Sequence, residues 1–242
     1  MFRNYLTAAL RNLLKYKVFS LINILGLSIG LALVMLFIWD ELTFDRYLSG
    51  DGNVYKLELL ASFGDVGPQR MPTTAGATIV GLQADHGDLI ENSARLKRQR
   101  VNITIADRTS NVVAHYVDAS FFEIFGLDYV EGNAAQAMPD PSSVVISRSF
   151  AENLFGAEPA LGETIDVDDG NAYRVTAVYE DFPRNTHLRP RILFPILPSA
   201  RDDVSDYRGW EMIAYHAYVQ LKDGVTGEDL RAVLRGSILA ND

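Results

Sequence analysis

Residues 18–39 read VFSLINILGLSIGLALVMLFIW, a run of 22 residues without a charged side chain. An α-helix rises about 1.5 Å per residue, so this segment would span about 33 Å, enough to cross a hydrocarbon core of about 30 Å. Its only polar side chains are those of Ser20, Asn23 and Ser28. The sequence therefore predicts a transmembrane helix over residues 18–39.

A buried helix of a soluble protein and a cleaved signal peptide are the alternatives to this interpretation. Buried helices rarely extend so far without an ionisable group. The apolar part of a signal peptide is usually only about 7–15 residues and is followed by small residues. Here the segment ends in the bulky run MLFIW at 35–39. Trp39 also suits the headgroup level of a membrane, where aromatic side chains anchor. We therefore expect an uncleaved anchor.

Basic residues before this segment set the expected orientation. The first 17 residues contain no acidic residue and four basic ones, Arg3, Arg11, Lys15 and Lys17. Basic flanks of membrane helices stay in the cytoplasm. Residues 1–17 are therefore predicted to form a cytoplasmic segment, and residues 40–242 an extracytoplasmic domain.

The cytoplasmic segment has an amphipathic pattern of its own. Its apolar side chains fall on one face of a helix over residues 2–14, with Arg3, Asn4, Thr7 and Arg11 on the other side. Such a helix can lie on the inner leaflet. A cytoplasmic extension of the membrane helix fits the same pattern, and the sequence leaves both arrangements open.

Composition and charge exclude several classes of function. The chain has 242 residues, 48% of them hydrophobic, and no cysteine. Disulfides, thiolate nucleophiles, cysteine-ligated metals and a lipoprotein anchor are therefore excluded. The first 39 residues hold four of the 22 basic residues and none of the 31 acidic ones, which leaves 18 against 31 and a net charge of −13 for the remainder. This acidic domain argues against nucleic acid as a partner.

The predicted fold class is α+β, with one N-terminal transmembrane helix before a mixed extracytoplasmic domain. Strands are predicted at residues 54–63, 101–106, 112–117, 143–146, 164–167, 173–179, 192–196 and 216–221. Helices are predicted at residues 73–85, 119–125, 147–155 and 226–239, with N-caps at Thr73 or Thr74, Ser147 and Thr226. These elements lack a regular βαβ period, which favours α+β over a doubly wound sheet.

A G-x-S-x-G motif at residues 26–30 has the spacing of a hydrolase nucleophile elbow. That motif works on a sharp strand-to-helix turn, whereas here it lies inside the predicted membrane helix. Helix packing is the better interpretation, because small residues let a second helix approach closely. We expect a helix-packing face made of Gly26, Ser28, Gly30 and Ala32. The alternative is that glycine is simply common in membrane helices.

No constellation predicts a catalytic residue, a cofactor or a metal. The four histidines, His86, His115, His187 and His216, have no zinc-ligand spacing, and isolated histidines are usually ordinary surface or core residues. The acidic residues Asp166, Asp168 and Asp169 fit a hairpin turn better than a calcium loop.

Four basic residues, Arg95, Lys97, Arg98 and Arg100, precede a predicted strand. They could contact phosphate headgroups or an acidic partner. A solvated strand edge protected by its charges is the favoured alternative.

The segment ALRNLLKYKVFSLINILGLSIGLALVMLFIWDELTFDRY at 9–47 resembles the opening of ABC-transporter permeases of the MacB/FtsX type, including their D-E-x-x-x-D-[RK] stretch, here DELTFDR at 40–46. Later segments resemble the same family: YVDASFFEIF at 116–125, SVVIS at 143–147, LFG at 154–156, LGETI at 161–165, YRVTAV at 173–178 and DFP at 181–183. Together they resemble the MacB-like periplasmic core domain over most of the chain.

The resemblance implies a non-enzymatic permease subunit of the bacterial inner membrane. In such systems a separate cytoplasmic ATPase drives the membrane helices, and the extracytoplasmic domain does work in efflux or in lipoprotein and envelope processes. The implied partners are that ATPase, further permease helices or a second permease copy, membrane lipid and periplasmic proteins.

Family members carry at least three further membrane helices after this domain. No second apolar run follows Trp39, so we expect an N-terminal fragment, a truncated reading frame or one piece of a split permease, with an incomplete periplasmic domain. The alternative function is a single-pass anchored binding or signalling module without ATPase coupling. An anchored hydrolase ranks third, since no nucleophile–base pair is visible.

Overall fold

The fold divides into two units, Met1–Asp45 and Arg46–Asp242. The computed structural model describes residues 2–45, 53–63, 66–105, 108–168, 170–196, 209–210 and 212–239. Each unit is described in turn.

The first unit consists of two helices, α1 (Phe2–Lys15) and α2 (Lys17–Thr43). They are separated by Tyr16, whose φ of −109° and ψ of 57° lie outside the helical region. None of the residues of α2 is buried, although the helix is apolar on every side. A helix with apolar side chains all round needs an apolar environment, and the described residues do not bury this one. Within the described parts of the chain, α2 is the one helix long and apolar enough to cross a membrane.

The second unit contains twelve strands and four helices in the residues that the structure describes. The strands are β1 (Val54–Leu57), β2 (Leu59–Phe63), β3 (Val66–Met71), β4 (Thr74–Ala75), β5 (Ile90–Ile105), β6 (Arg108–Val117), β7 (Tyr129–Glu131), β8 (Ser143–Ser147), β9 (Thr164–Val167), β10 (Asn171–Tyr179), β11 (Ile192–Pro195) and β12 (Ile213–Leu221). The helices are α3 (Ala77–His86), α4 (Phe121–Phe125), α5 (Arg148–Phe155) and α6 (Gly227–Leu239), with a short 3₁₀ helix at Ala134–Gln136. This content confirms the α+β prediction.

Ten of the strands form one mixed sheet in the order β1-β12-β5-β6-β11-β8-β10-β7, with β4 on β12. Strand β9 pairs with β10 on one side and with the end of β5 on the other. Strands β5, β6, β11, β8, β10 and β9 therefore close into a ring. Strands β2 and β3 form a separate hairpin.

Three apolar clusters surround the sheet. The interior of the ring holds one cluster, to which β8 contributes Val144 and Ile146. Val145 points to the opposite face, into a second cluster with α4. Because both faces of β8 are covered, all five of its residues are buried. Helices α3 and α6 contribute to the third cluster with β12, through residues such as Leu82 and Leu230.

The strand predicted at 54–63 is interrupted after Leu57, because β1 pairs with β12 whereas β2 pairs with β3. The strands predicted at 101–106 and 112–117 are longer than expected, since β5 starts at Ile90 and β6 at Arg108. Ala106 lies outside the described residues. The first and last residues of these strands are therefore set by the strands with which they pair.

The helix predicted at 73–85 begins at Ala77, and neither predicted threonine caps it. Thr73 and Thr74 instead donate hydroxyl hydrogen bonds to the carbonyl oxygens of Ile213 and Tyr215 on β12. The first N–H of α3 donates to the carbonyl oxygen of Gly209 at 3.1 Å. The chain therefore forms a short edge strand where sequence pattern predicted a first helical turn.

The N-terminus of α5 is capped from a distance. Ser147 precedes the helix as predicted, but its side chain makes no capping hydrogen bond. Asp181 accepts hydrogen bonds from the N–H of Ser149 at 2.9 Å and from its hydroxyl at 2.6 Å. Burial would raise the pKa of Asp181, but these hydrogen bonds and the charge of Arg148 hold it below its usual value. The prediction for α6 is confirmed, since Thr226 and Asp229 hydrogen-bond reciprocally at its start.

A buried ion pair fixes β5 against the end of β6. The Nε and Nη2 atoms of Arg95 donate to the two carboxylate oxygens of Asp118 at 2.9 and 2.8 Å. The backbone N–H of Arg95 donates to the same carboxylate at 2.8 Å, and its Nη1 donates to the carbonyl oxygen of Gly76. Arg95 is only 7% exposed, so a partner must neutralise its charge.

We expect Asp118→Ala to lower the free energy of unfolding by about 3–5 kcal/mol, because it leaves the Arg95 guanidinium buried without its counter-charge. Urea unfolding of the purified chain measures this loss. The matched control is Glu58→Ala, which removes the exposed pair of Glu58 with Arg70 at 3.7 Å and should cost less than about 1 kcal/mol. Equal losses in the two variants would contradict the assignment.

Candidate functional site

A pocket of about 470 Å³ lies on the sheet face shared with the α4 cluster. We call it the His–Arg pocket. Its lining combines three arginines, three histidines, a tyrosine and three aliphatic residues: Arg98, Arg189, Arg191, His115, His187, His216, Tyr218, Leu96, Val113 and Leu188. The volume falls within the range of about 300–1,000 Å³ that is typical of small-molecule sites.

Strand register places the sheet side of the pocket. Arg98 on β5 is directly opposite His115 on β6, so their side chains share a face of the sheet. His216 on β12 is opposite Leu96, two residues before Arg98. The consecutive strands β5 and β6 and the distant strand β12 thus deliver one arginine and two histidines to the same surface.

The other side of the pocket is an extended segment that precedes β11. Along residues 186–192, buried and exposed side chains alternate strictly. Thr186, Leu188 and Pro190 belong to the buried positions, while His187, Arg189 and Arg191 are exposed on the other side of the segment.

This segment is held in place by the core beneath it. The Tyr179 hydroxyl, fully buried, donates to the carbonyl oxygen of Pro190 at 2.6 Å. Leu188 packs in the α4 cluster with an exposure of 4%. His187 Nε2 lies 2.9 Å from the hydroxyl of Tyr218 on β12. This side of the pocket is therefore anchored to the core.

Two of the histidines are neutral at pH 7. Burial lowers the pKa of His115 to about 4, helped by the positive charge of Arg98 and by His216. The pKa of His216 is also lowered, chiefly by burial, although its hydrogen bond to Pro72 acts in the opposite direction. His216 Nδ1 donates that hydrogen bond, since a carbonyl oxygen can only accept.

The permanent positive charge of the pocket is carried by its arginines. Arg98, Arg189 and Arg191 form no ion pair within the described parts of the chain, and the pocket lining contains no acidic residue. Arg191 lies over the Phe150 ring, with 5.4 Å between the guanidinium carbon and the ring centroid. The lining offers guanidinium, imidazole and phenol hydrogen-bonding groups. The described residues contain no group of three or more His, Cys, Asp or Glu side chains that could hold a metal.

The structure separates the four basic residues that the sequence groups together. Arg95 is in the buried pair with Asp118, and the Lys97 ammonium lies 5.8 Å from the centroid of the Tyr215 ring. Arg98 and Arg100 point to the opposite face, where Arg98 lines the pocket and Arg100 donates to Asn111 at 3.2 Å. The strand-edge prediction is wrong for Arg95 and Lys97, where β5 pairs with β12. The pairing with β12 ends at Lys97, so within the described residues Arg98 and Arg100 have a strand partner only on the β6 side.

The pocket is the feature that sequence reasoning missed. His115, His187 and His216 were read as isolated residues because no local spacing joins them, and only strand pairing brings them together. One local signal was present: residues 186–192 read THLRPRI, in which basic and apolar residues alternate. Such alternation indicates an extended segment with one cationic face.

Of the aspartates assigned to a hairpin in place of a calcium loop, Asp166 lies in β9 and Asp168 follows that strand. Asp168 links the β9–β10 turn to β5, since its carboxylate accepts from the N–H of Asn102 at 2.9 Å and its own N–H donates to the Asn102 carbonyl oxygen at 2.9 Å. Asp169 lies outside the described residues.

The residues predicted for helix packing all lie on α2, within one continuous helix and not at a strand-to-helix turn. A Cβ atom built at Gly26 or Gly30 meets nothing within 4 Å. Residues two apart on a helix are separated by about 200°, so Ser28 and Ala32 lie nearly opposite Gly26 and Gly30. The four therefore form two surfaces and not the single face expected.

The residues predicted to set the membrane orientation lie in the same unit. Arg3 and Arg11 are in α1, Lys15 is its last residue and Lys17 is the first residue of α2. Trp39 lies in the last third of α2 and is 70% exposed.

Comparison with known proteins agrees with this architecture. Residues 20–236 match the family described as MacB-like periplasmic core domain. The chain belongs to this family. No curated protein matches the chain.

Two solved structures share the fold of this MacB-like chain. One is a domain described as belonging to a permease of Porphyromonas gingivalis, with a TM-score of 0.63 and 22% identity over 79% of this chain and 81% of that one. The other is the periplasmic region of MacB from Actinobacillus actinomycetemcomitans, with a TM-score of 0.54 and 14% identity over 81% of this chain and 86% of that one. The chain thus carries a MacB-like periplasmic domain of ABC-transporter permease-type proteins, and its apolar helix indicates membrane anchoring.

The segments that carry the family resemblance have structural roles in this MacB-like domain. Asp118 in the 116–125 segment neutralises Arg95, and Asp181 in the 181–183 segment caps α5. The 143–147 segment is the fully buried strand β8. None of these segments contributes a side chain to the His–Arg pocket.

We expect the MacB-like domain to lose stability as the pH falls from about 6.5 to about 4, because His115 takes up a proton there only in the unfolded state. Its pKa shift corresponds to a loss on the order of 3 kcal/mol. The groups that face His115 are Arg98 on β5, His216 on β12, and His187, Arg189 and Arg191 on the extended segment, while β11 presents apolar Leu193.

Urea unfolding of the full chain in detergent, repeated across this pH range, measures the slope. In His115→Gln the slope should be shallower, leaving the smaller contribution of His216. The control is His86→Gln, because His86 lies outside the pocket. This variant should keep the wild-type slope of unfolding free energy against pH. An unchanged slope in His115→Gln would contradict the assignment.

Proposed function

We propose that the chain is a permease subunit, or the N-terminal part of one, in an ABC transporter that transmits force across the membrane. A separate cytoplasmic ATPase hydrolyses ATP, and the chain itself is not catalytic. The observation that carries the proposal is the family match, which begins within α2 and continues through the domain to residue 236. Work by the extracytoplasmic domain in efflux or in lipoprotein and envelope processes would follow from motion of the helices.

Two surfaces of α2 support assembly with further helices. Gly26 and Gly30 leave the helix backbone open on one side, and Ser28 and Ala32 do so nearly opposite. Close approach of backbones drives association in lipid, where helices gain little from burying apolar side chains against one another. An exposed helix with two such surfaces suits a bundle in which α2 contacts two neighbours, from the same permease or from a second copy.

The proposed orientation places α1 in the cytoplasm and the domain outside, in the inner membrane of a bacterium. Arg3, Arg11, Lys15 and Lys17 are all on the α1 side of the apolar segment, and the rest of the chain is strongly acidic. In this arrangement α1 lies on the inner leaflet or extends toward the ATPase.

A single-pass anchored binding module, without ATPase coupling, is the second candidate. The His–Arg pocket favours it, because a formed pocket could serve recognition without any moving helix. Affinity purification of the tagged chain in mild detergent, with mass spectrometry, separates the two. Recovery of an ABC ATPase supports the permease, whereas recovery of the membrane-embedded chain without an ATPase supports the anchored module.

We expect Gly30→Leu to reduce recovery of partner helices severalfold in that purification, because the leucine side chain keeps a second backbone away. The matched control is Ile29→Leu, which conserves volume on the neighbouring position and should leave recovery unchanged. Undiminished recovery with Gly30→Leu would remove Gly26 and Gly30 from the assembly surface.

Because the chain has no cysteine, single introduced cysteines report its orientation without background. We expect a membrane-impermeant maleimide to label Ser142→Cys, an exposed position of the domain, in intact spheroplasts. Asn4→Cys on α1 should react only after the membrane is permeabilised. Labelling of Asn4→Cys in intact spheroplasts would indicate the opposite orientation.

A further inference from the structure

The arginines of the His–Arg pocket are the first sign of a ligand. The domain has far more acidic than basic residues, and four of its described arginines, Arg70, Arg95, Arg148 and Arg174, pair with carboxylates. Other described arginines, such as Arg100 and Arg108, also form no ion pair with described residues, but Arg98, Arg189 and Arg191 are the three that line one pocket without such a pair. The charges that shift the pKa values of His115 and His216 come only from basic residues and other histidines. A concentration of positive charge in an acidic domain attracts an anion.

His115 is the second sign. Its side chain lines the pocket, the residue is only 9% exposed, and its Nδ1 atom has no hydrogen-bond partner in the described structure. Buried polar atoms are nearly always paired, since leaving one unpaired costs about 1–3 kcal/mol. The Nδ1 atom has almost no accessible surface, so a ligand oxygen in the pocket would reach it only after the imidazole ring turns; the neutral ring keeps one N–H to donate.

The rigidity of the extended segment is the third sign. The hydroxyl of Tyr179 and the buried side chain of Leu188 hold this segment, so the backbone positions of Arg189 and Arg191 are fixed. An arginine cluster that served only solubility would need no such anchoring. A backbone that is already ordered loses less freedom on binding, which favours recognition.

We propose that the His–Arg pocket binds a phosphate ester, with the phosphate held by Arg98, Arg189 and Arg191. A guanidinium group can donate two parallel hydrogen bonds to two oxygens of one phosphate. Three unpaired cations favour a doubly charged phosphate over a singly charged carboxylate, which would leave more of the charge unneutralised. The pocket is also larger than an inorganic ion needs, and Leu96, Val113 and Leu188 provide apolar walls for an organic group.

The phosphate ester could come from a soluble metabolite or from the headgroup of a phospholipid, and both present the same chemistry to the pocket. The inference rests on the domain alone and is independent of ATPase coupling. Failure of the affinity purification to recover an ATPase would leave it unaffected.

The test uses the full chain purified in an uncharged detergent and isothermal titration calorimetry. The soluble probe is sn-glycerol 3-phosphate, with glycerol as the control that lacks the phosphate. The lipid probe is short-chain phosphatidic acid, with short-chain diacylglycerol as its control. We expect binding of at least one phosphate probe and of neither control.

Arg98→Gln and Arg189→Gln should each weaken this binding by at least about tenfold, because each removes a charge-assisted contact. The matched control is Arg100→Gln, which changes the same charge on the same strand but lies outside the pocket and should bind as the wild type. Arg189→Lys should bind more tightly than Arg189→Gln but less tightly than the wild type, since lysine keeps the positive charge but lacks the paired N–H donors of a guanidinium. Arg98 and Arg189 are exposed, so the unfolding midpoints of the two glutamine variants should match that of the wild type. If Arg98→Gln is nevertheless unstable, the binding measured with Arg189→Gln decides the outcome.

Binding of sn-glycerol 3-phosphate with these variant effects supports the proposal and identifies the phosphate ester itself as sufficient. Binding of phosphatidic acid alone, with the same effects, supports it and identifies a lipid headgroup as the source. Absence of binding by both probes overturns the proposal. Equal weakening by Arg100→Gln and Arg98→Gln also overturns it, because the binding would then reflect general charge.

Discussion

Sixteen consecutive residues, Ile90–Ile105, hydrogen-bond with three different strands, and the architecture of the domain depends on this sharing. The first half of β5 pairs with β12, residues 96–105 pair with β6, and its end pairs with β9. The last of these contacts closes the ring around the interior cluster. The first joins the ring to β1 and to the cluster under α3 and α6. Because a strand presents alternate residues to opposite faces, β5 also distributes its basic side chains between the Asp118 pair and the pocket. A shift of one residue in its register would move the side chains of Arg95 and Arg98 to the opposite faces of the sheet, which would disrupt both the ion pair and the pocket.

The two environments of these arginines show how location decides the role of a charge. Arg95 is buried, so the cost of removing it from water is offset only by a bidentate carboxylate and further hydrogen bonds. Arg98 is exposed and needs no partner for the fold to be stable, which leaves it available to a ligand. The extended segment repeats this division at the scale of single residues: its buried positions fix its path, and its exposed positions provide the cationic surface. Rigid support and unpaired charge therefore come from the same short stretch of chain.

Much of this could be predicted from individual stretches of sequence. The apolar helix, the α+β class, the capped helix α6 and the β9–β10 turn each depend on neighbouring residues, so local pattern was enough. Prediction failed where distant strands supplied the partners. Thr74 has the pattern of a helix cap, but its hydroxyl donates to a carbonyl oxygen of β12. At α5 the cap is Asp181 and not Ser147, and Asp181 lies 32 residues along the chain from Ser149, whose N–H donates to it. The strand edge predicted at Arg95 to Arg100 was wrong in its first half for the same reason, because nothing local indicates that β12 pairs with β5 as far as Lys97.

The sequence by itself determined that an uncharged apolar helix precedes an acidic mixed domain, and its motifs identified the MacB-like family. Hydrophobicity, net charge and short-range turn preferences depend on the residues of a local segment and not on its tertiary contacts. Only the tertiary structure decided that His115, His187 and His216 share one pocket with three arginines. These six residues come from β5, β6, β12 and the segment before β11, and no periodicity along the chain connects them. Their proximity is set by the hydrogen-bonded order of the strands, which depends on how the whole domain buries its apolar faces.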